Sequence, residues 1–465
     1  MAFRNPSGST SATTTVRINS AKTSAPSVET PQAVNPADTH IWGVYGLLVV
    51  LSIIELYSAS SFEIAKQGLY APLLRHVSML FVGFLIIVGL QRMHYRWFVP
   101  ISRLMFFGSA AAMIYVMFFG EYVNGARRAM SLGFMSLQPA EFIKLTTVLI
   151  LAVILSRTQL KKSPGLRNRG IIYAASVVIG MSALLFTQGL TNTLLLMVIS
   201  MSMMLIGAIE WKKFLMVLGV YAVVGVAGMG VKMAMSADDD KRSEDLVLVD
   251  PQGNVFTIAN TAAAGEGQTS RMTDGTWKNR INNWLGDSVP KYRQPITQKN
   301  LQEMRSYMAQ ANGGLFGVFP GNSRETSRLP LAFSDYIFAI IVEDLGFIGG
   351  LAIMVLYLWL LARAYYIAAR CTQAYPAFLV TGMAVMIAFQ ALCHMAIVSG
   401  AGPVSGQPLP LFSKGGTSIL VTSIAFGIML SVSRFAVRTD SQRKIQKQEA
   451  ESLPENMRAE NPTQI

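Results

Sequence analysis

Ten stretches of the chain run apolar for long enough to cross a bilayer, at residues 41–60, 74–91, 101–119, 139–156, 171–187, 191–209, 214–233, 335–362, 376–399 and 411–433. A helix needs about 20 mostly apolar residues to span a hydrocarbon core roughly 30 Å thick. The runs are continuous and do not alternate every second residue, which argues against an outer-membrane barrel. The pattern predicts an all-α integral membrane protein with about ten transmembrane helices. Residues 1–40 are rich in Ser, Thr and Pro and hold no apolar stretch resembling a signal sequence. They read as a flexible tail ahead of an uncleaved first span. Residues 435–465 read as a basic tail after the last one.

The loops predict the orientation, because Lys and Arg concentrate on the cytoplasmic side. With the N-terminus inside, the inner short loops and their edges hold Arg92, Arg96, Arg103, Arg157, Lys161, Lys162, Arg167, Arg169, Lys212, Lys213, Arg363 and Arg370. The outer short loops hold Lys66, Arg75, Arg127 and Arg128. Ten spans return the chain to the inside, so both termini are expected in the cytoplasm. The large connection at 234–334, between the seventh and eighth spans, then lies outside. Parts of it look disordered by composition, among them Ala237-Asp-Asp-Asp240 and 261–270. Near its end Leu301, Met304, Met308 and Ala311 fall at helical spacing, either as an amphipathic helix on the membrane surface or as a packing helix.

Composition sharpens this picture. Hydrophobic residues make up 52% of the 465 and charged ones 14%, against about 25% charged in a soluble domain. The net charge of +13 therefore does not indicate a nucleic-acid partner. Under the ten-span topology the whole excess falls on the cytoplasmic side. Cys371 and Cys393 give no disulfide framework or metal-ligand spacing, and the four histidines are scattered.

Charge inside a bilayer is costly, which makes each intramembrane ionisable group a functional candidate. Glu141 and Lys144 follow Gln138-Pro139 at the start of the fourth span, three residues apart on one face. They form an ion pair orienting that helix, or a site where Lys144 meets an anionic ligand. Just before them, Arg127 and Arg128 suit phosphate oxygens, or contact lipid phosphates nonspecifically. Asp335 sits where the long loop enters the eighth span. An acid there is favoured by the helix dipole alone, and is also placed to act as a general base. Glu55 stands alone in the first span; Glu343 and Asp344 are expected to be helix-packing partners. The breaker-rich stretch Gly406–Gly416 reads as a cavity wall or a re-entrant turn, since irregular backbone at membrane depth must be buried in protein or line a cavity.

Several motifs in order resemble the SEDS family (shape, elongation, division and sporulation proteins). They are Tyr57-Ser-Ala-Ser60, Asn124-Gly-Ala-Arg-Arg128, Gln138-Pro-Ala-Glu141 with Lys144, and Asn312-Gly-Gly-Leu-Phe-Gly317. Further along come Gly321-Asn-Ser323, Leu329-Pro330, Ser334-Asp335-Tyr-Ile-Phe-Ala339, Glu343-Asp-Leu-Gly346 and Pro408-Leu-Pro-Leu411 with Ser413 and Gly415-Gly416. The resemblance covers residues 41–434. It implies a glycosyltransferase that polymerises lipid II into glycan at the outer face of the bacterial inner membrane, at the division septum if Gly321-Asn-Ser323 marks the division branch. A class B penicillin-binding protein and other division or elongation proteins are the implied partners.

The family's catalytic aspartate corresponds to Asp335. Arg127, Arg128 and Lys144 become candidates to neutralise the departing pyrophosphate, and Gln138, Glu141, Ser334 and Ser413 become candidate substrate-binding residues. No cofactor is required; a divalent cation could assist, with no site for it in the sequence. Four positions depart from the family pattern: Ala129 replaces a tryptophan, Gly189 lies where Pro-Asp is usual, Leu331 replaces an acid and Lys414 a tyrosine. A lipid flippase or transporter, the elongation polymerase, and an inactive division scaffold remain as alternatives.

Overall fold

The computed structural model describes residues 35–59, 70–123, 126–131, 136–160, 165–244, 247–249, 255–257, 284, 296, 300–326, 328–329, 333–371, 373–403 and 406–437. Residues 1–34, the stretch 261–270 and most of the C-terminal tail fall outside this set. Its helices are α1 (Thr39–Ala59), α2 (Tyr70–Leu90), α3 (Phe98–Phe119), α4 (Pro139–Arg157), α5 (Asn168–Phe186) and α6 (Leu190–Ile206). They continue with α7 (Trp211–Glu244), α8 (Leu301–Gly313), α9 (Ile337–Ala368), α10 (Ala374–Val398) and α11 (Gly416–Phe435). Among the described residues, nine helices are long and apolar enough to span a membrane, and α6 adds a shorter apolar helix. Together these are the ten apolar runs of the sequence.

The bundle is organised around α4, α10 and α11, buried over 78%, 78% and 83% of their apolar stretches, whereas α7 is buried over 11%. α10 packs against α9, α4, α11 and α6, and α11 packs against α2. Beyond the helices, β1 (Glu121–Val123), β2 (Ala126–Ser131) and β3 (Ser136–Leu137) form a small antiparallel sheet between α3 and α4, in the order β1-β2-β3. The all-α bundle thus carries one sheet at the paired arginines. A second ladder, β4 (Val247–Val249) with β5 (Val255–Thr257), lies in the long connection.

Two expectations for that connection are corrected. Ala237-Asp-Asp-Asp240 is part of α7, which continues to Glu244. The face of α8 that packs is Met304, Ser306, Ala309 and Gly313, while Met308 is 39% exposed. Ser306 Oγ and Gln310 Nε2 both donate to the carbonyl of Val398, at 3.2 and 2.9 Å. α8 is therefore a packing helix seated on α9 and the end of α10.

The helix α9 is broken near its start, where Gly346 takes φ +73°. The segment after α8 fills the break: Val318 and Phe319 N–H groups donate to the carbonyls of Glu343 and Asp344, both at 2.9 Å. Phe347 N–H returns a bond to Gly314 O at 2.9 Å. A Cβ at Gly313 would strike Val342 O, one at Gly317 would strike Asp344 O, and one at Gly346 would strike Leu315 O. The glycines of Asn312–Gly317 and Glu343–Gly346 thus let two backbones touch. Glu343, expected to pack between helices, instead accepts from Asn312 Nδ2, Ser323 Oγ and the N–H groups of Arg324 and Glu325. At the opposite end, Arg363 grips Asp38 with Nε at 2.9 Å and Nη2 at 2.7 Å, pinning the entry of α1 to α9.

Candidate functional site

The ends of α2, α4, α6 and α9 meet the segment 406–415 around a cavity of about 320 Å³. Asp335 lines it from the turn just before α9, and Ser334 Oγ donates to its Oδ1 at 3.0 Å. Facing the carboxylate is Gly406, at φ +66°; a Cβ there would stand 3.2 Å from Asp335 Oδ2. Glycine leaves the carboxylate room against the main chain.

The wall opposite α9 is irregular backbone inside the bundle, and the sequence supplies a donor for its carbonyls. His394 Nδ1 bonds Gln407 O at 2.6 Å, Gln390 Nε2 donates to Pro408 O at 3.3 Å, Tyr357 Oη to Pro410 O at 2.6 Å, and Ser52 Oγ to Leu411 O at 2.7 Å. Four side chains from α1, α9 and α10 thus satisfy carbonyls of a segment that forms no helix of its own. They also hold Leu411 at φ +68°, a left-handed conformation unusual for a branched residue. Of the two readings of Gly406–Gly416, the cavity wall is the one found.

The same accounting fixes a histidine tautomer. The single hydroxyl proton of Ser52 goes to Leu411 O, so Ser52 Oγ accepts from His76 Nε2–H at 2.8 Å. That leaves His76 Nδ1 as an acceptor, buried beside the cavity that His76 lines.

Glu141 lines the cavity, while Lys144 stands behind it with no exposure. Lys144 Nζ donates to Glu141 Oε1 at 2.7 Å and to Gln390 Oε1 at 3.1 Å, and Gln390 Nε2 donates to Glu141 Oε2 at 3.2 Å. This closed ring of charge-assisted bonds joins α4 to α10. Of the two readings of the pair, the geometry gives the orienting ion pair.

The other sequence candidates divide between wall and framework. Arg128, on β2, and Gln138, at the start of α4, both line the cavity. Gln138 N–H donates to Thr417 Oγ1 at 3.1 Å, and Thr417 Oγ1 donates to Ser136 O at 3.0 Å. Arg127 pairs with Tyr122 by main chain; its side chain lies outside the described residues. Ser413 serves as framework: Oγ accepts from Leu409 N–H at 2.8 Å and donates to Ser334 O at 2.8 Å. Glu55 and Asp344 are buried on α1 and α9 and do not line the cavity.

Sequence reasoning missed Arg75, His76 and Asn192 as cavity residues, and had Gln407 and Lys414 only as members of the Gly406–Gly416 wall. Gln407 Nε2 donates to Asn192 Oδ1 at 2.9 Å, tying α6 to the wall. Among Arg75, His76 and Asn192 the one available signal was Arg75, a cation at the outer end of its span, where the charge rule leaves few. Among the described residues no group of three or more His, Cys, Asp or Glu could hold a metal ion.

Comparison with known proteins places the chain in a family. The family described as cell cycle protein, FtsW/RodA/SpoVE, matches residues 38–438. Stage V sporulation protein E of Bacillus subtilis is 29% identical over 402 residues, covering 84% of this chain and 95% of the relative. Peptidoglycan glycosyltransferase MrdB of Escherichia coli K12 is 25% identical over 389 residues, covering 83% and 90%. Two solved structures share the fold. A chain of a peptidoglycan synthase complex, described as coordinating polymerization and crosslinking, superposes with TM-score 0.58 at 21% identity over 85% of this chain and 97% of its own. The rod shape determining protein RodA of Thermus thermophilus gives TM-score 0.55 at 20% identity, over 87% and 98%. With its match running from the entry of α1 past the end of α11, the chain belongs to the FtsW/RodA/SpoVE family of cell cycle proteins.

Proposed function

We propose that the protein is a peptidoglycan glycosyltransferase that polymerises lipid II. The observation carrying this reading is that Asp335 shares one polar cavity with Arg128 at the end of the bundle. The positive-inside rule assigns that end to the outer face of the inner membrane. Asp335 takes the proton from the acceptor sugar's 4-hydroxyl as that oxygen attacks the donor's anomeric carbon. The bond to undecaprenyl pyrophosphate breaks with inversion, and Arg128, with Arg127 next to it in β2, neutralises the departing charge. Gln138 and Glu141 line the sugar-facing wall, Lys144 holds Glu141 in place through its 2.7 Å bond, and Ser334 and Ser413 fix the base.

A class B penicillin-binding protein is the partner this activity calls for, since newly made glycan requires crosslinking. The Gly321-Asn-Ser323 motif supports action in division, at the septum. Its hydrogen bonds, from Gly321 N–H to Ser58 Oγ at 3.0 Å and from Ser323 Oγ to Glu343, anchor the loop to α1 and α9.

The decisive measurement is glycan formation from lipid II by the purified protein, alone and with a candidate transpeptidase. Glycan in either reaction upholds the polymerase reading. Transfer of lipid II across liposomes without glycan would replace it with a flippase.

A further inference from the structure

Two neutral hydrogen-bond acceptors in the cavity wall have no donor among the described residues. The first is on α2, where a Cβ at Gly83 would strike Ser423 of α11. His76 precedes Gly83 by two helical turns, so the same face of α2 carries it toward α11 and into the wall. Its Nε2–H goes to Ser52 Oγ at 2.8 Å, and Nδ1 meets no hydrogen-bond partner. With its single proton on Nε2, the neutral ring presents Nδ1 as an acceptor. A second proton there would be a buried charged donor with nothing to receive it.

Gln407 supplies the second acceptor. Its Nε2 donates to Asn192 Oδ1 at 2.9 Å, and its main-chain carbonyl accepts from His394 Nδ1 at 2.6 Å. The side-chain oxygen, Oε1, meets no partner. His76 and Gln407 are only 2% and 3% exposed, and both line the cavity that holds Asp335. Buried acceptors are rarely left without a donor, so the contents of the cavity are expected to bring one to each.

The atoms define the chemistry of that donor. Nδ1 and Oε1 carry lone pairs and no proton, so they attract O–H groups and repel phosphate oxygens. A carbohydrate offers many hydroxyl donors, whereas an ionised diphosphate offers none. Both acceptors are neutral, so they can hold a sugar without placing a second negative charge beside the Asp335 carboxylate.

We propose that His76 Nδ1 and Gln407 Oε1 accept hydrogen bonds from hydroxyl groups of the substrate's carbohydrate, fixing the sugar, and not the diphosphate, beside Asp335. The assignment rests on the glycosyltransferase reading and adds to it two binding residues that the motifs did not supply.

The test uses the full chain with its transpeptidase partner, lipid II as substrate, and undecaprenyl diphosphate, which has no sugar, as competing anion. His76→Gln separates the two sides of the imidazole. Its amide N–H can still reach Ser52 Oγ from the ε position, while no acceptor remains at the δ position. The variant is expected to raise the KM for lipid II about fivefold, the loss of one neutral hydrogen bond, and to leave the Ki of undecaprenyl diphosphate within about twofold. Gln407→Met, similar in length and without an amide, should show the same split. An unchanged KM in either variant would overturn the assignment for that residue, because water alone would then satisfy the acceptor. KM and Ki rising together would also overturn it, since the loss would not be specific to the sugar. If His76→Gln does not fold, His76→Leu replaces it under the same criteria. If the wild type makes no glycan, the polymerase reading fails on its own. Direct binding of lipid II and of undecaprenyl diphosphate to wild type and His76→Gln then still decides the role of His76, by the same ratios.

Discussion

Ser413 donates its hydroxyl proton to the main-chain carbonyl of Ser334, the residue immediately before Asp335, at 2.8 Å. The same oxygen accepts from Leu409 N–H, so one small side chain joins the breaker-rich wall to the turn bearing Asp335. Ser413→Ala leaves both main-chain groups without that partner, at a cost of about 1–3 kcal/mol. The expected outcome is a roughly tenfold lower kcat for glycan formation with little change in KM, and recovery in Ser413→Thr. A KM effect without a kcat effect would move Ser413 from positioning to binding.

Asp335→Asn preserves shape and removes the base. General-base catalysis contributes about a hundredfold or more, so glycan formation from lipid II is expected to fall at least that far. The thermal transition should match that of the wild type. Polymerisation at the wild-type rate would remove Asp335 from its role.

Arg128 lines the cavity, whereas Arg169 is exposed in the first turn of α5 at the other end of the bundle. Charge reversal at Arg128 should raise the KM for lipid II by tenfold or more, on the order of a lost charged contact. Arg169→Glu should leave it within about twofold, in the range of a surface charge change. Equal effects would mean that charge acts only through the general field of the protein.

Lys144 and Glu141 are both buried, and removing one leaves the other as an uncompensated charge. Lys144→Met is expected to cost about 3–5 kcal/mol, read as a lower unfolding midpoint in detergent. The double variant Lys144→Met with Glu141→Leu should recover a large part of that loss. A double variant no more stable than the single one would show that Gln390 and the wall, not the charge, set the cost.

His94 heads the short turn Tyr95–Trp97, where its Nδ1 accepts from Arg96 N–H at 3.2 Å. Burial, and then the Arg96 guanidinium, hold its pKa below the ordinary histidine value. Folding therefore favours the neutral ring. The resulting stability is present above about pH 6.5 and is lost as the pH falls through the lowered value. His94→Asn keeps a capping acceptor that does not titrate, and should flatten the fall in unfolding midpoint between pH 7 and 5. A variant with the same slope as wild type would place the pH dependence elsewhere.

The spans were legible because lipid demands long apolar helices whatever the neighbouring helices do, and Asp335 was legible as a cavity residue through its motif and its place at a helix start. Which side of each helix faces protein was not legible. Leu47 and Leu48 read alike in sequence, yet Leu48 is fully buried and Leu47 is 54% exposed. Lipid tails are as apolar as leucine, so periodicity carries little signal in such a helix. That His76 and Lys414 share one cavity escaped for a related reason. They come from opposite ends of the sequence, and only the crossing of α2 with α11 brings them together. α8 misled by its methionines: the small residues Ser306, Ala309 and Gly313 allow the close approach to α9, leaving Met308 outward.

The main-chain exchange between Gly313–Phe319 and Glu343–Ile348 makes the end of the long connection a place where chain length is fixed residue by residue. Within the interlock a single inserted residue would shift every N–H away from its carbonyl and carry a side chain into the space reserved for hydrogen. Between Gly313 and Ser323 the chain should be as intolerant of insertion as the centre of a transmembrane helix.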